Sequence, residues 1–331
     1  MDKTAAASTI KRRRRRRLPA EQLSSSDISE LQSLRDAKKH TNNDNGNIND
    51  CTDNSSLDIR SAFSNDGYIG PIDVLSKEEA AYALQQVQNE LHKNKGNRFK
   101  LHLVLPCIDK IVHNPTLVNA VQQALNSNDI LLWSSDIIIK ESNSDYYFEP
   151  HQDNAFAGLV PSSSCLTAWI ALSNPVGIKE GCLQFHPKSH KLKHIPHKTR
   201  KNENNMLSLG QYIESDIMDT LEEPISIQLR GGQATLHSFD TVHSSGPNTS
   251  GLALRYITSD VIQTKPNKEM VTWISGTTNQ ASNFDIEPRL PVNPTSDDIN
   301  RGREAQKEAI RREELNYFSL NDTTIEKKSY S

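Results

Sequence analysis

Residues 146–154 read Tyr-Tyr-Phe-Glu-Pro-His-Gln-Asp-Asn, an aromatic segment that runs into His151 and Asp153. Aromatic residues favour β-strands, and side chains two positions apart on a strand point to the same face. His151 and Asp153 are therefore expected on one face at the end of a strand, where both could ligate a metal ion. Alone the pair is weak evidence, because chance yields His-x-Asp in many chains and an ordinary surface strand also fits.

The sequence around this segment is β-rich from Ile130 onward, with turn residues between short apolar runs. The predicted strands cover residues 130–133, 137–140, 146–148, 165–172, 182–185, 225–229, 234–237 and 253–262. Many short strands separated by turns are typical of a sandwich or a jelly roll. We therefore predict a mainly β fold with helices packed outside it.

The predicted helices lie on either side of the β-rich region. Ser76 and Glu79 have the spacing of a capping box, which predicts a helix start at this point. The predicted helices cover residues 80–93, 115–125 and 301–317, and residues 63–69 are predicted to form a turn into a strand. The last helix is highly charged and is expected on the surface, after a proline-rich connector.

Composition and charge divide the chain into unequal parts. Hydrophobic residues make up 35% of the 331 residues and the net charge is −3. Residues 1–17 carry eight basic side chains against one aspartate, which gives +7 and leaves −10 for the remainder. The expected divisions are a disordered tail over residues 1–56, a folded domain over 57–288, and a C-terminal extension over 289–331. So acidic a body is a poor general nucleic-acid binder.

The basic block from Lys11 to Arg17 has two readings that the sequence leaves open. It fits a nuclear-localisation or polyanion-binding patch, and it equally fits a solvated tail or a targeting segment that is later removed. Nucleic-acid contact is predicted only through this block. Cysteine spacing suits a reducing compartment, and no apolar run is long enough for a membrane span. We expect an intracellular, cytoplasmic protein, with nuclear or organellar targeting as the alternative.

A second motif lies about ninety residues after the first, where residues 241–248 read Thr-Val-His-Ser-Ser-Gly-Pro-Asn. His243 would complete a set of two histidines and one carboxylate, the facial triad of non-haem Fe(II) oxygenases. Such a triad leaves positions open for a chelating 2-oxo acid and O2. Arg255 follows at the start of an apolar strand, and arginine suits the recognition of a carboxylate.

Taken together, residues 63–288 resemble the phytanoyl-CoA dioxygenase family of Fe(II)- and 2-oxoglutarate-dependent oxygenases. The resemblance is carried by His-Gln-Asp at 151–153, Thr-Ala-Trp-Ile-Ala-Leu at 167–172, Glu-Gly-Cys-Leu at 180–183, Pro-Lys-Ser-His at 187–190, Gly-Gly-Gln at 231–233, and the segment 243–255. Two of these depart from the family pattern, since Lys188 replaces a usual glycine and Gln233 a usual aspartate. Both departures concern loop geometry.

The resemblance implies a double-stranded β-helix, a cupin-like jelly roll, over about residues 130–263. It implies Fe(II) as the metal, 2-oxoglutarate and O2 as co-substrates, and ascorbate as an accessory reductant. The implied iron ligands and catalytic residues are His151, Asp153 and His243. The implied contacts to 2-oxoglutarate are Arg255 at its distal carboxylate, with Gln152, Trp169, Ser245 and Lys140 around it.

The implied activity is hydroxylation of a small-molecule substrate with release of succinate and CO2. Related halogenases carry a small residue at the position of Asp153, so its carboxylate favours hydroxylation. A different class of function stays open, in which a non-catalytic jelly roll acts as an adaptor through its basic tail, and so does an oxygenase that acts on a macromolecule. The histidines at 186, 190, 194 and 197 would suit zinc on a helix, but Pro187 and Pro196 favour a strand end and a loop.

Overall fold

A computed structural model of the chain describes residues 58–94, 97–140, 144–247, 249–276 and 283–326, with side chains described as far as Asn316. The predicted tail of residues 1–56, with its basic block at 11–17, lies outside the described residues. Within the described part of the chain, no helix is both long and apolar enough to cross a membrane.

The first elements are helices that precede the β-rich region. In chain order they are α1 (Ile59–Asp66), strand β1 (Tyr68–Asp73), α2 (Lys77–Lys93), α3 (Pro106–Val112) and α4 (Pro115–Leu125). The capping box is confirmed, because the Ser76 hydroxyl accepts from the Glu79 amide and the Glu79 carboxylate accepts from the Ser76 amide. The prediction for residues 63–69 was wrong in part, since residues 63–66 are the last turn of α1. Gly67, at a φ of 83°, ends that helix and leads into β1.

The strands and helices that follow build the body of the fold. They are β2 (Ile130–Ile139), β3 (Phe148–His151), α5 (Asn154–Ala157), β4 (Leu159–Val160), β5 (Cys165–Ala171), β6 (Leu183–Phe185), β7 (Lys198–Thr199), β8 (Gln211–Tyr212), α6 (Ser215–Met218), β9 (Ile225–Ser226), β10 (Gln233–Ser238), β11 (His243–Ser245), β12 (Ser250–Thr258), β13 (Ile262–Gln263), β14 (Met270–Ser275), β15 (Asp285–Ile286) and α7 (Ser296–Glu326). The larger sheet has the order β1-β10-β5-β12-β2-β14-β15, and a smaller sheet has the order β3-β11-β6-β9.

Alternation along the strands gives the larger sheet two different faces. Ala168, Leu252 and Tyr256 lie on its outer face, in one hydrophobic core with residues of α2, α3 and α4. Trp169 and Ala253 lie on its inner face and pack against the smaller sheet through side chains such as Phe185. Two facing, mainly antiparallel sheets with outer helices confirm the predicted jelly roll.

Strand β2 differs from the prediction in a way that matters for the interior. Residues 130–133 and 137–140 were predicted as two strands, because Ser134 and Asp136 interrupt the apolar pattern between them. They form one strand, and the hydroxyl of Ser134 donates to the carboxylate of Asp136 over 2.6 Å. Both side chains lie on the face of Ile138, which lines the cavity between the sheets.

The C-terminal segment is fastened to the body by buried polar groups. Helix α7 extends well beyond the predicted 301–317 at both ends, and the side-chain amide of Gln306 donates to the Phe99 carbonyl over 2.6 Å. Before it, the fully buried Glu287 carboxylate accepts from Lys100 and, over 2.6 Å, from the Thr272 hydroxyl. Loss of either partner of a buried ion pair destabilises the fold, because the remaining charge is left buried and unpaired.

Candidate metal centre

Two histidines from adjacent strands form the first half of the site. His151 ends β3 and His243 begins β11, and the two residues are register partners in the smaller sheet, with ring centroids 4.2 Å apart. Nδ1 of His151 lies 2.7 Å from the Glu149 carbonyl, and Nδ1 of His243 lies 3.0 Å from the Thr241 carbonyl. A carbonyl only accepts, so Nδ1 carries the proton in both rings. Each Nε2 is left with a free lone pair.

Asp153 completes the donor set two residues after His151. Its Oδ1 lies 4.0 Å from Nε2 of His151, and ligand atoms of His151, Asp153 and His243 all lie within 4.8 Å of one another. Burial lowers the pKa of both histidines, so both rings are neutral and able to ligate near pH 7. Burial opposes ionisation of Asp153, but Arg255 and the neighbouring histidines hold its pKa well below its usual range.

The other oxygen of Asp153 is held by groups that the sequence did not predict. The hydroxyl of Thr167, on β5, donates to Oδ2 over 2.5 Å, and Nε2 of His237, on β10, lies 3.6 Å from the same oxygen. These two groups lie at Oδ2, whereas Oδ1 faces Nε2 of His151 at 4.0 Å and Nη2 of Arg255 at 3.6 Å. Hydrogen-bonded support of this kind is common around ligating carboxylates. Thr167 belongs to one of the family-like motifs, but its contact with Asp153 follows from strand register, which the sequence does not display.

His237 lies beside the site, with its Nε2 beyond hydrogen-bond distance of Oδ2 of Asp153, at 3.6 Å. The side chain is buried, and within the described part of the chain neither ring nitrogen has a hydrogen-bond partner. Its ring lies 4.3 Å from that of His243 and 5.1 Å from that of Phe185. Orphaned nitrogens beside a metal-ligand set indicate that a polar group absent from the protein itself belongs there.

A cavity between the two sheets adjoins the triad. Trp169, Ser245 and Arg255 line it, together with His151, Asp153 and His243 and with the apolar side chains of Ile138, Phe148, Leu183 and Ala253. The Trp169 ring lies against Gly251 on β12, where a Cβ would come within 2.3 Å of the ring. Glycine at this position therefore leaves the space that the indole fills.

The two cations predicted for the co-substrate occupy different surroundings. Lys140 is buried, its ammonium donates to the Ser245 hydroxyl over 2.7 Å and to the Gly246 carbonyl, and burial lowers its pKa to about 7. Arg255 forms an ion pair with Asp136, and its Nη2 lies 3.6 Å from Oδ1 of Asp153.

Gln152 lies away from the cavity that it was predicted to line. Its side-chain amide donates to the carbonyls of Lys193 and Asp240, each over 2.6 Å, and its carbonyl oxygen accepts from the Ile195 amide over 2.7 Å. Alternation explains the outcome, since Gln152 points opposite to its neighbours His151 and Asp153. Its observed contacts tie the loop after β6 to the turn before β11.

The second group of histidines does not converge. His186 contacts the Glu222 carbonyl over 2.7 Å, and His190 contacts the Ser64 carbonyl over 3.1 Å. Nε2 of His197 accepts from the backbone N–H of Gln152 over 3.0 Å. Among the described residues, the group of metal-capable side chains that comes together is the His151, Asp153 and His243 set. The predicted strand end and loop at 185–197 agree with the structure.

A buried set of two Nε2 atoms and one carboxylate oxygen between the sheets of a jelly roll defines a class of protein, the non-haem iron oxygenases that use a facial triad. The donor set fits a divalent iron ion. Comparison with known proteins agrees. The family model for phytanoyl-CoA dioxygenase matches residues 63–255, and the chain belongs to this family. The matched domain is a 2-oxoglutarate-dependent dioxygenase domain, with iron as its metal and 2-oxoglutarate and O2 as co-substrates.

Individual relatives are more distant. A probable alpha-ketoglutarate-dependent hypophosphite dioxygenase from Stutzerimonas stutzeri is 27% identical over 198 residues, which are 57% of this chain and 64% of the relative. Among solved structures, the non-heme monooxygenase ThoJ in its apo form is 27% identical with a TM-score of 0.68, covering 80% of this chain and 100% of its own. The epimerase SnoN, in complex with Fe3+, alpha ketoglutarate and nogalamycin RO, is 22% identical with a TM-score of 0.51, over 62% of this chain and 84% of its own. That last likeness concerns the fold.

Proposed function

We propose that this protein hydroxylates a small-molecule substrate and converts 2-oxoglutarate to succinate and CO2. The observation that carries the proposal is the buried triad, in which both Nδ1 atoms are committed to backbone carbonyls and both Nε2 atoms are free beside Asp153. His151, Asp153 and His243 would hold the iron. Lys140 and Arg255, with Ser245 and Trp169, would supply the charge and the walls of the co-substrate site.

Iron bound there would supply the activation of O2 that couples decarboxylation of the 2-oxo acid to oxidation of a C–H bond. The chain's own residues prepare the site for it. Thr167 and Arg255 keep the Asp153 carboxylate ionised and oriented. Phe148 and Leu183 add apolar walls to the cavity, which would limit the access of water to the reacting groups.

Hydroxylation is preferred to halogenation because of Asp153. A halide needs an open coordination position where this protein has a carboxylate, and that carboxylate is the acceptor for Thr167. A small substrate is supported by the cavity between the sheets that adjoins the triad. It is also supported by the relative from Stutzerimonas stutzeri, whose name gives hypophosphite as its substrate.

Anaerobic spectroscopy tests the proposal at the level of binding. Protein, Fe(II) and 2-oxoglutarate mixed without O2 should develop a visible metal-to-ligand charge-transfer band. His151→Ala should lose the band, and His92→Ala, which changes an exposed histidine on α2, should keep it. A folded wild-type protein without the band, or a His151→Ala protein with it, would contradict the metal assignment.

Turnover then separates the candidate functions. Candidate metabolites are screened for stimulated succinate formation, and a hydroxylated product should carry one oxygen atom from labelled O2. The adaptor alternative depends on residues 1–17 and requires no turnover. Deletion of those residues should leave succinate formation unchanged if the enzyme proposal is right.

A further inference from the structure

Three neighbouring strands of the larger sheet carry one transverse row of side chains beside the metal ligand Asp153. Thr167 on β5 is the register partner of His237 on β10 on one side and of Arg255 on β12 on the other. Neighbouring strands lie about 4.8 Å apart, so the Cα atoms of His237 and Arg255 are roughly 10 Å apart. The residues implied for 2-oxoglutarate lie on or directly after β2, β3, β5, β11 and β12, so β10 contributes none of them.

Strand β10 presents buried polar atoms that lack a partner. His237 and Thr235 are two positions apart and share the inner face of the strand, where His237 lines the cavity. Both side chains are buried, and within the described part of the chain the two ring nitrogens of His237 and the hydroxyl of Thr235 have no hydrogen-bond partner. Unpaired polar atoms at such burial are rare in folded proteins. Their clustering on one strand face indicates a polar ligand group that the chain itself does not supply.

The surroundings of these atoms favour a ligand group without charge. The ring of His237 lies 5.1 Å from that of Phe185, which in turn stacks on Tyr68 of β1 at 4.8 Å. The charge beside His237 is the Asp153 carboxylate, whose Oδ2 lies 3.6 Å from Nε2, and this carboxylate would repel an anion. A cation would compete with a bound metal ion and with Arg255, whose Nη2 lies 3.6 Å from Oδ1.

Accepting the function proposed above, we propose that His237 and Thr235 determine substrate specificity by binding a neutral hydroxyl or carboxamide group of the substrate. A threonine hydroxyl donates and accepts hydrogen bonds, and so does a neutral imidazole through its two nitrogens. A ligand group that also does both can satisfy them together. Bound there, the substrate would lie on the β10 side of Asp153, while the co-substrate occupies the β12 side of the cavity.

The test uses two probes of the same shape and different charge. 2-Methylpropanamide and 2-methylpropanoate are isosteric, and their binding to the protein loaded with Fe(II) and 2-oxoglutarate is measured by anaerobic calorimetry. The wild type should bind the amide at least about tenfold more tightly, because burial of a charge without a counter-ion is unfavourable. His237→Phe and Thr235→Val should each weaken amide binding roughly 2–13-fold, the range of one neutral hydrogen bond.

Exposed positions provide matched controls. His92→Phe on α2 and Thr116→Val on α4 repeat the two substitutions at the surface and should leave amide binding unchanged. The assignment is overturned by equal affinities of the wild type for the two probes, or by no binding of the amide. It is also overturned by an unchanged amide affinity in His237→Phe, or in Thr235→Val if His237→Phe does not fold, which is the result expected if a buried water alone satisfies these atoms. A wild type that binds no 2-oxoglutarate in the loading step would instead refute the proposed function.

Discussion

Replacing Thr167 with valine tests how much the support of Asp153 contributes to the metal site. The substitution keeps the shape of a buried side chain and removes the hydroxyl that donates to Oδ2 of Asp153 over 2.5 Å. A hydrogen bond to a charged group is worth about 1.5–3 kcal/mol, or roughly 10–150-fold in an equilibrium. Arg255 and His237 remain beside the carboxylate. We therefore expect the lower end, about tenfold weaker Fe(II) binding.

The assay is an anaerobic Fe(II) titration against a competing chelator, with thermal unfolding of the metal-free protein to confirm the fold. Thr235→Val is the matched control. Thr235 is also fully buried and pairs with Trp169 in the same sheet, but its hydroxyl has no hydrogen-bond partner within the described residues. Its loss should not weaken metal binding. Equal Fe(II) affinities for wild type and Thr167→Val, or an equal loss in Thr235→Val, would refute the reasoning.

Further predictions concern charge and packing. Because burial places the pKa of Lys140 at about 7, 2-oxoglutarate affinity should be highest below pH 7 and fall by up to about tenfold per pH unit above it. Lys140→Arg, which stays charged, should give a flat profile in a calorimetric titration of 2-oxoglutarate. Gly251→Ala would force a Cβ against Trp169 and should lower the free energy of unfolding by about 1–3 kcal/mol in urea titrations. Glu287→Gln would leave Lys100 buried without a counter-ion and should cost about 3–5 kcal/mol in the same measurement. The pKa of Glu287 is about 2 against an ordinary 4.5, so this stability should be present above pH 4.5 and disappear as the pH falls toward 2 in wild type.

The fold could be predicted from the sequence where the local pattern of apolar and polar residues matches the burial of their side chains. The helix at 115–125 was predicted to the residue, because Asn114 caps it and Pro115 suits its first position. Strand β2 was split in the prediction since polar Ser134 and Asp136 face the cavity rather than the core. The helix at 59–66 was missed because it has a single buried residue, Phe63, and so shows no helical repeat of apolar residues.

The site could be predicted from the sequence only where the spacing of residues within one segment brings their side chains together. The position of His151 and Asp153 on one face follows from alternation, and His243 was predicted as the third ligand because it completes a set of two histidines and one carboxylate. Thr167, Asp136 and His237 come to the site through the register of strands far apart in sequence. Nothing in their local sequence separates them from ordinary strand residues. The local sequence also does not show that the side-chain amide of Gln152 bonds to backbone groups outside the cavity.

The surroundings of Asp153 bear on the choice between hydroxylation and halogenation more strongly than its identity alone. Thr167 donates to it, and Arg255 faces it with a charge that Asp136 neutralises from the other side. A small residue at 153 would leave the Thr167 hydroxyl without its acceptor and Arg255 with one carboxylate instead of two. Thr167 and Arg255 both contact a carboxylate that is covalently part of residue 153. A halide bound in its place would lose the hydrogen bond from Thr167 and the contact with Arg255 in their present geometry. The site is thus built around a carboxylate ligand, and the neighbours that keep Asp153 ionised support the hydroxylation proposed above over halogenation.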